Sequence, residues 1–191
     1  SGIRLRLVRI IATVGVLLMP LAWFVLKDYQ KQRILVFMNP DIDPFGSGYH
    51  IIQSKIAIGS GTIFGKGLFN GTQSQLNFLP ENHTDFIFSV IGEELGFIGC
   101  IFVLILLFML IYRSIKVAYS CNDRFGMLLA TGIGSMLCFE VLVNAGMTMG
   151  IMPVTGIPLP FISYGVSALT TNMISVGILL NISMQRKKYI F

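Results

Sequence analysis

Residues 79–99, LPENHTDFIFSVIGEELGFIG, begin as a polar loop and run without interruption into a long apolar segment. Thr84 or Asp85 can cap a helix that begins just after them. Asp85 is therefore predicted to lie where a membrane helix meets water. Glu93 and Glu94 are predicted to lie roughly 12 to 14 Å deeper along the same helix. Ionisable groups at that depth are costly, and this makes them candidates for function.

The composition indicates an all-α integral membrane protein. Of the 191 residues, 54% are hydrophobic and 12% are charged, whereas soluble domains carry about 25% charged residues. The chain begins with Ser1 rather than Met, which suggests a part of a longer protein that would not act alone. Its three cysteines lack a C-x-x-C spacing and are predicted to be free thiols.

Four apolar stretches are long enough to cross a membrane as helices. They cover residues of about 8–26, 86–112, 125–150 and 161–184. In the first, Pro20 can kink the helix, and Trp23 suits a membrane interface. A long polar loop, 27–85, follows the first span; it is rich in glycine and proline turns and has a predicted short helix at 49–58 on the membrane surface.

The basic residues indicate the topology. Most of them fall on one side of a four-span arrangement, namely Arg4, Arg6, Arg9, Arg113, Lys116, Arg124, Arg186, Lys187 and Lys188. Because cytoplasmic loops are enriched in Lys and Arg, both ends are predicted to be cytoplasmic and loop 27–85 to face outside. The net charge of +5 is then a topology signal, and nucleic-acid binding is not expected.

Polar residues form stripes along the predicted spans. The stripes are Asp85, Ser89, Gly92, Gly96 and Gly99; Glu140, Asn144 and Thr148; and Ser163, Ser167, Thr171 and Ser175. Hydrogen bonding between helices is the favoured interpretation of the Ser/Thr stripe. A polar cavity among the helices is the alternative, and it is best supported by Glu140, a mid-membrane carboxylate that needs a partner.

Two lysines and a histidine of the loop are candidates for substrate binding. The segment GSGTIFGKG at 59–67 does not have the spacing of a phosphate-binding P-loop. Lys55 and Lys66 could still bind phosphate as point charges, or simply be solvated. For His83, local hydrogen bonding in the loop is favoured over a metal site, which would need more ligands.

Four segments resemble one family, the SEDS membrane glycosyltransferases of bacterial shape, elongation, division and sporulation. They are PDIDP at 40–44, GSGYHIIQSKIAIGSG at 46–61, GKGLFNGTQSQLNFLPENHTDFIFSVIGEELGFIG at 65–99 and GIPLPFISYG at 156–165. The loop is most similar to the elongation branch. The resemblance covers essentially the whole chain and implies the carboxy-terminal part of a bundle of about ten spans. Val166 departs from the family, which usually has a second glycine there.

The resemblance implies polymerisation of lipid II into peptidoglycan glycan strands at the outer face of the bacterial inner membrane. It also implies a class B penicillin-binding transpeptidase and other membrane proteins of the elongation complex as partners. The proposed catalytic aspartate of the family matches Asp85. Lipid II carries a good leaving group, undecaprenyl pyrophosphate, so one carboxylate acting as general base would suffice. Lys55 and Lys66 would offset the developing charge. His83, Glu93 and Glu140 complete the predicted substrate site. No metal site is predicted, although a divalent cation could accompany the pyrophosphate.

Two other functions are compatible with the sequence. A transporter or lipid II flippase would use Glu93, Glu140 and the polar stripes within the spans. A non-catalytic scaffold of the elongation machinery would need none of these residues.

Overall fold

The structure is a computed structural model that describes residues 6, 9–10, 13–15, 17–18, 24–43, 46–76, 78–79, 81 and 83–185. Within them the fold is all-helical, as predicted. The α-helices are α1 (Asp28–Met38), α2 (Ser47–Ser60), α3 (Thr72–Gln75), α4 (Ile87–Tyr119), α5 (Arg124–Thr148) and α6 (Val166–Gln185), with a 3-10 helix at Pro40–Ile42.

Three of the described helices, α4, α5 and α6, are long and apolar enough to cross a membrane. They correspond to the second, third and fourth predicted spans. Most of the predicted first span, including Pro20 and Trp23, lies outside the described residues, as do Arg4 and residues 186–188. The core of the bundle lies between α4 and α5 and includes Leu107, Ala130 and Leu137.

The ends of two spans differ from the prediction. Helix α4 continues to Tyr119, seven residues beyond the predicted end at 112. Helix α6 begins at Val166 rather than at 161, because Phe161 adopts a positive φ of 64° and the residues after it form turns. Ser163 is therefore not part of a helical stripe.

The described part of the long loop contains helices that pack on the bundle. The short helix predicted at 49–58 is confirmed as α2; its place at a membrane surface stays a prediction. Ser54 of α2 is fully buried. Its hydroxyl lies 2.6 Å from the Ser89 hydroxyl and donates to the carbonyl oxygen of Thr148 over 2.6 Å. These bonds connect α2 to both α4 and α5.

Helix α4 folds back on itself at Gly96, whose backbone is non-helical with φ 68° and ψ −163°. Towards its carboxy-terminal end, α4 packs on α5, since a methyl group on Gly134 of α5 would lie 3.2 Å from Cβ of Ser114. At the other, Asn144 of α5 donates to the carbonyl oxygen of Asp85. Residues 134–144 of α5 cover about 15 Å, whereas a straight helix over 85–114 would cover about 44 Å. Helix α4 therefore consists of a short first arm (87–95) and a spanning second arm (97–119).

This fold-back reverses the predicted depth of the carboxylates. Asp85 lies beside Asn144, one turn before the end of α5. The turn at Gly96 lies about 27 Å along the second arm from Ser114, beyond the roughly 21 Å that α5 covers from Gly134 to its end. Glu93 is next to that turn, so it lies nearer the end of the bundle than Asp85. The prediction was wrong because it assumed one continuous helix.

Residues 61–67, here called the capping segment, close the break in α4. In a continuous helix, the N–H groups of residues 97 and 98 would bond to the carbonyls of residues 93 and 94. Here all four groups form hydrogen bonds with the backbone of the capping segment instead. The bonds run from Lys66 N to Glu93 O (3.0 Å), Gly67 N to Glu94 O (3.0 Å), Phe97 N to Thr62 O (3.0 Å) and Ile98 N to Ile63 O (3.2 Å).

Candidate functional site

The backbone around Asp85 is hydrogen-bonded to the connection between α5 and α6 (149–165) and to α5 itself. Three consecutive carbonyl oxygens, of residues 83–85, each accept one hydrogen bond. The donors are, in order, the Tyr164 N–H at 2.9 Å, the Ser163 hydroxyl at 2.7 Å and the Asn144 amide at 3.0 Å. The same Asn144 amide also donates to the Ile157 carbonyl at 2.8 Å, which links the connection to this backbone.

The predicted cap of α4 by Thr84 or Asp85 is wrong. Phe86 occupies the N-cap position, and no side chain caps the helix there. The Thr84 hydroxyl instead donates to the carboxylate of Glu81 at 3.0 Å. The Asp85 side chain is consequently not used to hold the helix terminus.

The Asp85 backbone is held by hydrogen bonds, but its carboxylate is not hydrogen-bonded by the described residues. The residue is half-buried, and no described residue donates a hydrogen bond to its carboxylate oxygens. A methyl group on Gly156 would lie 3.2 Å from Oδ2 of Asp85. Because Gly156 has a positive φ of 74° and no side chain, it leaves the space beside the carboxylate open.

The surroundings of Asp85 make it a stronger base than a free aspartate. Burial raises the pKa of the carboxyl group, and the negative charge of Glu81 raises it further. The positive charge of Arg33 opposes both effects. Arg33 is placed there by α1, and its guanidinium donates to the carbonyl oxygen of Val154 at 3.2 Å.

Lys55, a residue of α2, lies against the same connection to which Gly156 belongs. Its side chain is exposed and crosses Gly150, where a methyl group would collide with the lysine. The connection between α5 and α6 is therefore flanked by two cations, Lys55 from α2 and Arg33 from α1.

Lys66 and Glu93 form a separate structure and are not part of the Asp85 site. Their side chains are ion-paired at 2.9 Å, and the Glu93 side chain is completely buried. Glu93 accepts further hydrogen bonds from three successive residues of the loop, namely the Thr72 hydroxyl (3.2 Å), Gln73 N (2.9 Å) and Ser74 N (3.1 Å). The predicted substrate contacts of Lys66 and Glu93 stay predictions; within the described residues the two side chains are engaged with each other and with the loop at Thr72–Ser74.

Glu140 lies one helical turn from Asn144 on α5. Its Oε2 atom is buried and has no hydrogen-bond partner among the described residues. The expectation that this carboxylate needs a partner from elsewhere is in keeping with that finding.

His83 presents an exposed side chain to an open pocket of about 340 Å³. The pocket is otherwise lined by Ile87, Ile162 and Tyr164. No group of three or more His, Cys, Asp or Glu side chains that could hold a metal ion occurs in the part of the chain that the structure describes.

Within the described residues, the serine and threonine stripe of α6 forms no hydrogen bond to another helix. The hydroxyls of Thr171 and Ser175 donate to carbonyls one turn back in α6 itself, at 2.9 and 2.8 Å. The stripe on α5 does bond to other elements. Asn144 donates to the backbone just before α4 and to the connection after α5, and the Thr148 carbonyl accepts a bond from Ser54 of α2.

Two residues of the site were missed by sequence reasoning, Arg33 and Gly156. Arg33 could have been noticed because Lys27, Lys31 and Arg33 form a basic cluster on the side predicted to be poor in cations. Gly156 could not, since the turn that brings it to Asp85 is set by contacts distant in sequence.

Comparison with known proteins identifies similar chains over nearly the full length. A family model described as a cell cycle protein, FTSW_RODA_SPOVE, matches residues 1–188. The chain is 49% identical over 188 residues to the peptidoglycan glycosyltransferase MrdB of Escherichia coli (strain K12), covering 98% of this chain and 51% of that protein. It is 48% identical over 162 residues to the peptidoglycan glycosyltransferase RodA of Treponema pallidum (strain Nichols), covering 85% and 37%. The chain thus spans about half the length, or less, of these curated relatives.

Two solved structures are similar. One is a chain from work on how a peptidoglycan synthase complex coordinates polymerization and crosslinking; the TM-score is 0.75 at 33% identity, with 100% of this chain and 52% of that chain covered. The other is an aspartate-to-alanine mutant of the rod shape determining protein RodA of Thermus thermophilus. Its TM-score is 0.55 at 37% identity, with 65% and 39% covered.

Proposed function

The chain belongs to the FtsW, RodA and SpoVE family, and on this premise we propose that it forms part of a glycosyltransferase that polymerises lipid II into glycan strands during cell elongation. Asp85 is the general base of the reaction. The observation that carries the proposal is the Asp85 carboxylate itself, which is positioned through its backbone but accepts no hydrogen bond from the described residues.

The reaction requires one proton transfer and one displacement. Asp85 takes the proton from the acceptor sugar hydroxyl, whose oxygen attacks the anomeric carbon of the donor. The bond from that carbon to the pyrophosphate oxygen breaks, and undecaprenyl pyrophosphate leaves with the bonding electrons. A single displacement inverts the anomeric centre. The leaving group needs no acid, because its charge is already delocalised over phosphate oxygens.

Two cations beside the connection between α5 and α6 complete the proposed site. Lys55 and Arg33 flank the connection beside Asp85, and they are suited to bind the pyrophosphate as it gains charge. His83 lines the adjacent open pocket, where a sugar can be accommodated. Arg33 takes the place that the sequence analysis gave to Lys66.

The test is polymerisation of lipid II by the full-length protein carrying Asp85→Asn. General base catalysis contributes about 10² to 10⁴-fold, so the rate is expected to fall by that factor while the protein remains folded. Asp28→Asn is the matched control, since Asp28 is an exposed carboxylate at the start of α1. Normal glycan strands from Asp85→Asn would refute the role of Asp85.

The proposed topology follows the family. Residues 1–191 belong to a single membrane domain in the inner membrane, with four spans in this chain, both ends cytoplasmic and loop 27–85 outside. A class B penicillin-binding transpeptidase is the proposed partner, supported by the similar chain from a peptidoglycan synthase complex. Impermeant labelling of Asp41→Cys in intact cells tests the side of the loop; protection until the cells are opened would contradict it.

A second candidate function, translocation of lipid II, is favoured by Glu140 alone. A buried carboxylate oxygen without a partner inside a spanning helix is costly and is typical of transport pathways. Glu140→Gln would then block movement of lipid II across vesicle membranes, while polymerisation of externally added lipid II continues. Unchanged translocation by this variant would exclude the second function.

A further inference from the structure

We propose that the loop before α4 inserts an apolar tip, formed by Ile63, Phe64, Leu68 and Phe69, into the hydrocarbon of the outer leaflet of the inner membrane. The tip is made of parts of the capping segment and the two apolar residues that follow Gly67. Bilayer lipid surrounds the tip, which serves as an interfacial anchor for the break in α4 at Gly96.

The four side chains of the tip are exposed to a degree that is unusual for such residues. Phe64 is 79% exposed and Phe69 is 80% exposed. Phe69 also adopts a positive φ of 61°, which is rare for a bulky residue and has an energetic cost. Large apolar groups that are held outward together mark a surface that contacts another apolar phase.

The tip is continuous with the apolar surface of the spanning second arm. Residues 62 and 63 bond directly to Phe97 and Ile98 of that arm. Both of these side chains are exposed, at 62% and 51%, and the exposed apolar surface continues down the arm through Ile101 and Phe102. A spanning helix presents such a surface to acyl chains. The tip therefore extends the same lipid-facing surface at the start of the second arm.

The charge of the loop at this position is neutralised. Lys66 is the only ionisable residue between 56 and 80, and its ammonium group is paired with the buried carboxylate of Glu93 at 2.9 Å. An unpaired lysine would oppose insertion, because charged groups are costly in hydrocarbon. The pair removes that obstacle.

Part of the backbone of the capping segment is paired with protein groups. Non-helical backbone is tolerated at membrane depth only where its polar groups have protein partners. Residues 62, 63, 66 and 67 all bond to the break in α4, and Gly65 N donates to Gly61 O at 2.8 Å. The exposed apolar side chains are therefore carried by a segment whose backbone is anchored to the break in α4 by four hydrogen bonds.

Spin labels distinguish lipid, water and protein as the surroundings of the tip. Phe64→Cys, Phe69→Cys and, as a second site, Leu68→Cys are labelled in the full-length protein with its native cysteines replaced by alanine, in proteoliposomes. Accessibility to oxygen, which dissolves in hydrocarbon, is compared with accessibility to an aqueous nickel complex. Phe102→Cys on the second arm is the lipid-facing reference, and Asp41→Cys on the 3-10 helix is the aqueous reference.

The expected result is an oxygen-to-nickel accessibility ratio at the tip as high as that at Phe102→Cys. A ratio equal to that at Asp41→Cys would place the tip in water and overturn the proposal. Low accessibility to both reagents would mean that protein covers the tip, and it would overturn the proposal equally. Unchanged thermal unfolding of each labelled variant ensures that the native structure is being measured.

Discussion

Asp85 and Glu93 flank the first arm of α4 at its two ends, and their surroundings are opposite. Glu93 is completely buried, pairs with Lys66 and accepts three more hydrogen bonds from α3. Asp85 is half-buried, and no described residue donates to its carboxylate. This difference indicates that the first arm is held in place at one end by Glu93, whose carboxylate is fully engaged in hydrogen bonds and an ion pair. The carboxylate at the other end accepts no hydrogen bond from the described residues, as the proposed role of Asp85 as general base requires.

The cations show the same division. Lys66 is ion-paired with Glu93, so its charge is used within the structure. Lys55 and Arg33 lie beside the connection between α5 and α6 and have exposed side chains. An inventory of charges along the loop does not separate these roles, whereas their partners do.

Removing the carboxylate of Glu93 tests its structural role and is expected to have the largest effect on stability. Glu93→Ala leaves Lys66 and two backbone N–H groups without their acceptor, which costs about 3 kcal/mol, at the low end for a broken buried pair. The apparent unfolding free energy in detergent measures this loss. Glu94→Ala is the matched control, with an expected change within about 0.5 kcal/mol. Equal losses in the two variants would remove the distinction between the neighbouring acids, and a loss as large in Asp85→Asn would remove the contrast between the two ends of the arm.

Gly96→Ala tests the fold-back on which the contrast depends. At φ 68° and ψ −163° only glycine is comfortable, and a methyl group would collide with the backbone of Gly65. The expected destabilisation is about 1 to 3 kcal/mol, measured by thermal unfolding. Gly177→Ala in α6 meets no atom within 4 Å, so it is expected to be neutral or to stabilise by about 0.5 to 1 kcal/mol. A tolerated Gly96→Ala would mean that α4 is straight.

The pH dependence of polymerisation is expected to show the smallest effects and the most specific ones. The proposed general base, Asp85, would act when deprotonated. Because its pKa is raised, the rate should fall on acidification at a pH above the ordinary value of about 3.9. Glu81→Gln removes a repulsion and should move this limb to lower pH. Arg33→Gln removes an attraction and should move it to higher pH. Shifts in the same direction would show that another group is titrating.

The raised pKa of Asp85 also makes the stability of the protein depend on pH. Between the pKa of Asp85 in the unfolded chain and its higher pKa in the folded chain, the folded state binds more protons. The contribution of Asp85 to stability therefore decreases as the pH rises through that window. In Asp85→Asn this dependence should be absent, which comparison of unfolding curves at pH 4 and 7 would reveal.

The sequence predicted helices α2, α4, α5 and α6 because their apolar content and length are local properties. It also singled out Asp85, since a carboxylate between a polar loop and an apolar run is conspicuous. It could not predict the break at Gly96, because a glycine in an apolar run looks the same whether the helix continues or turns. The partner of Glu93 was missed for a related reason: Lys66 reaches it only after the chain has folded back.

The order of the two segments along the chain matters during synthesis. Because the polypeptide emerges from its amino terminus, residues 61–67 are available before residues 93–98 enter the membrane. The peptide groups exposed where α4 turns can therefore be covered as soon as they form, without waiting for any later part of the protein. A circular permutation that made the loop last would leave those groups bare in the bilayer, so the linear arrangement itself protects the nascent chain.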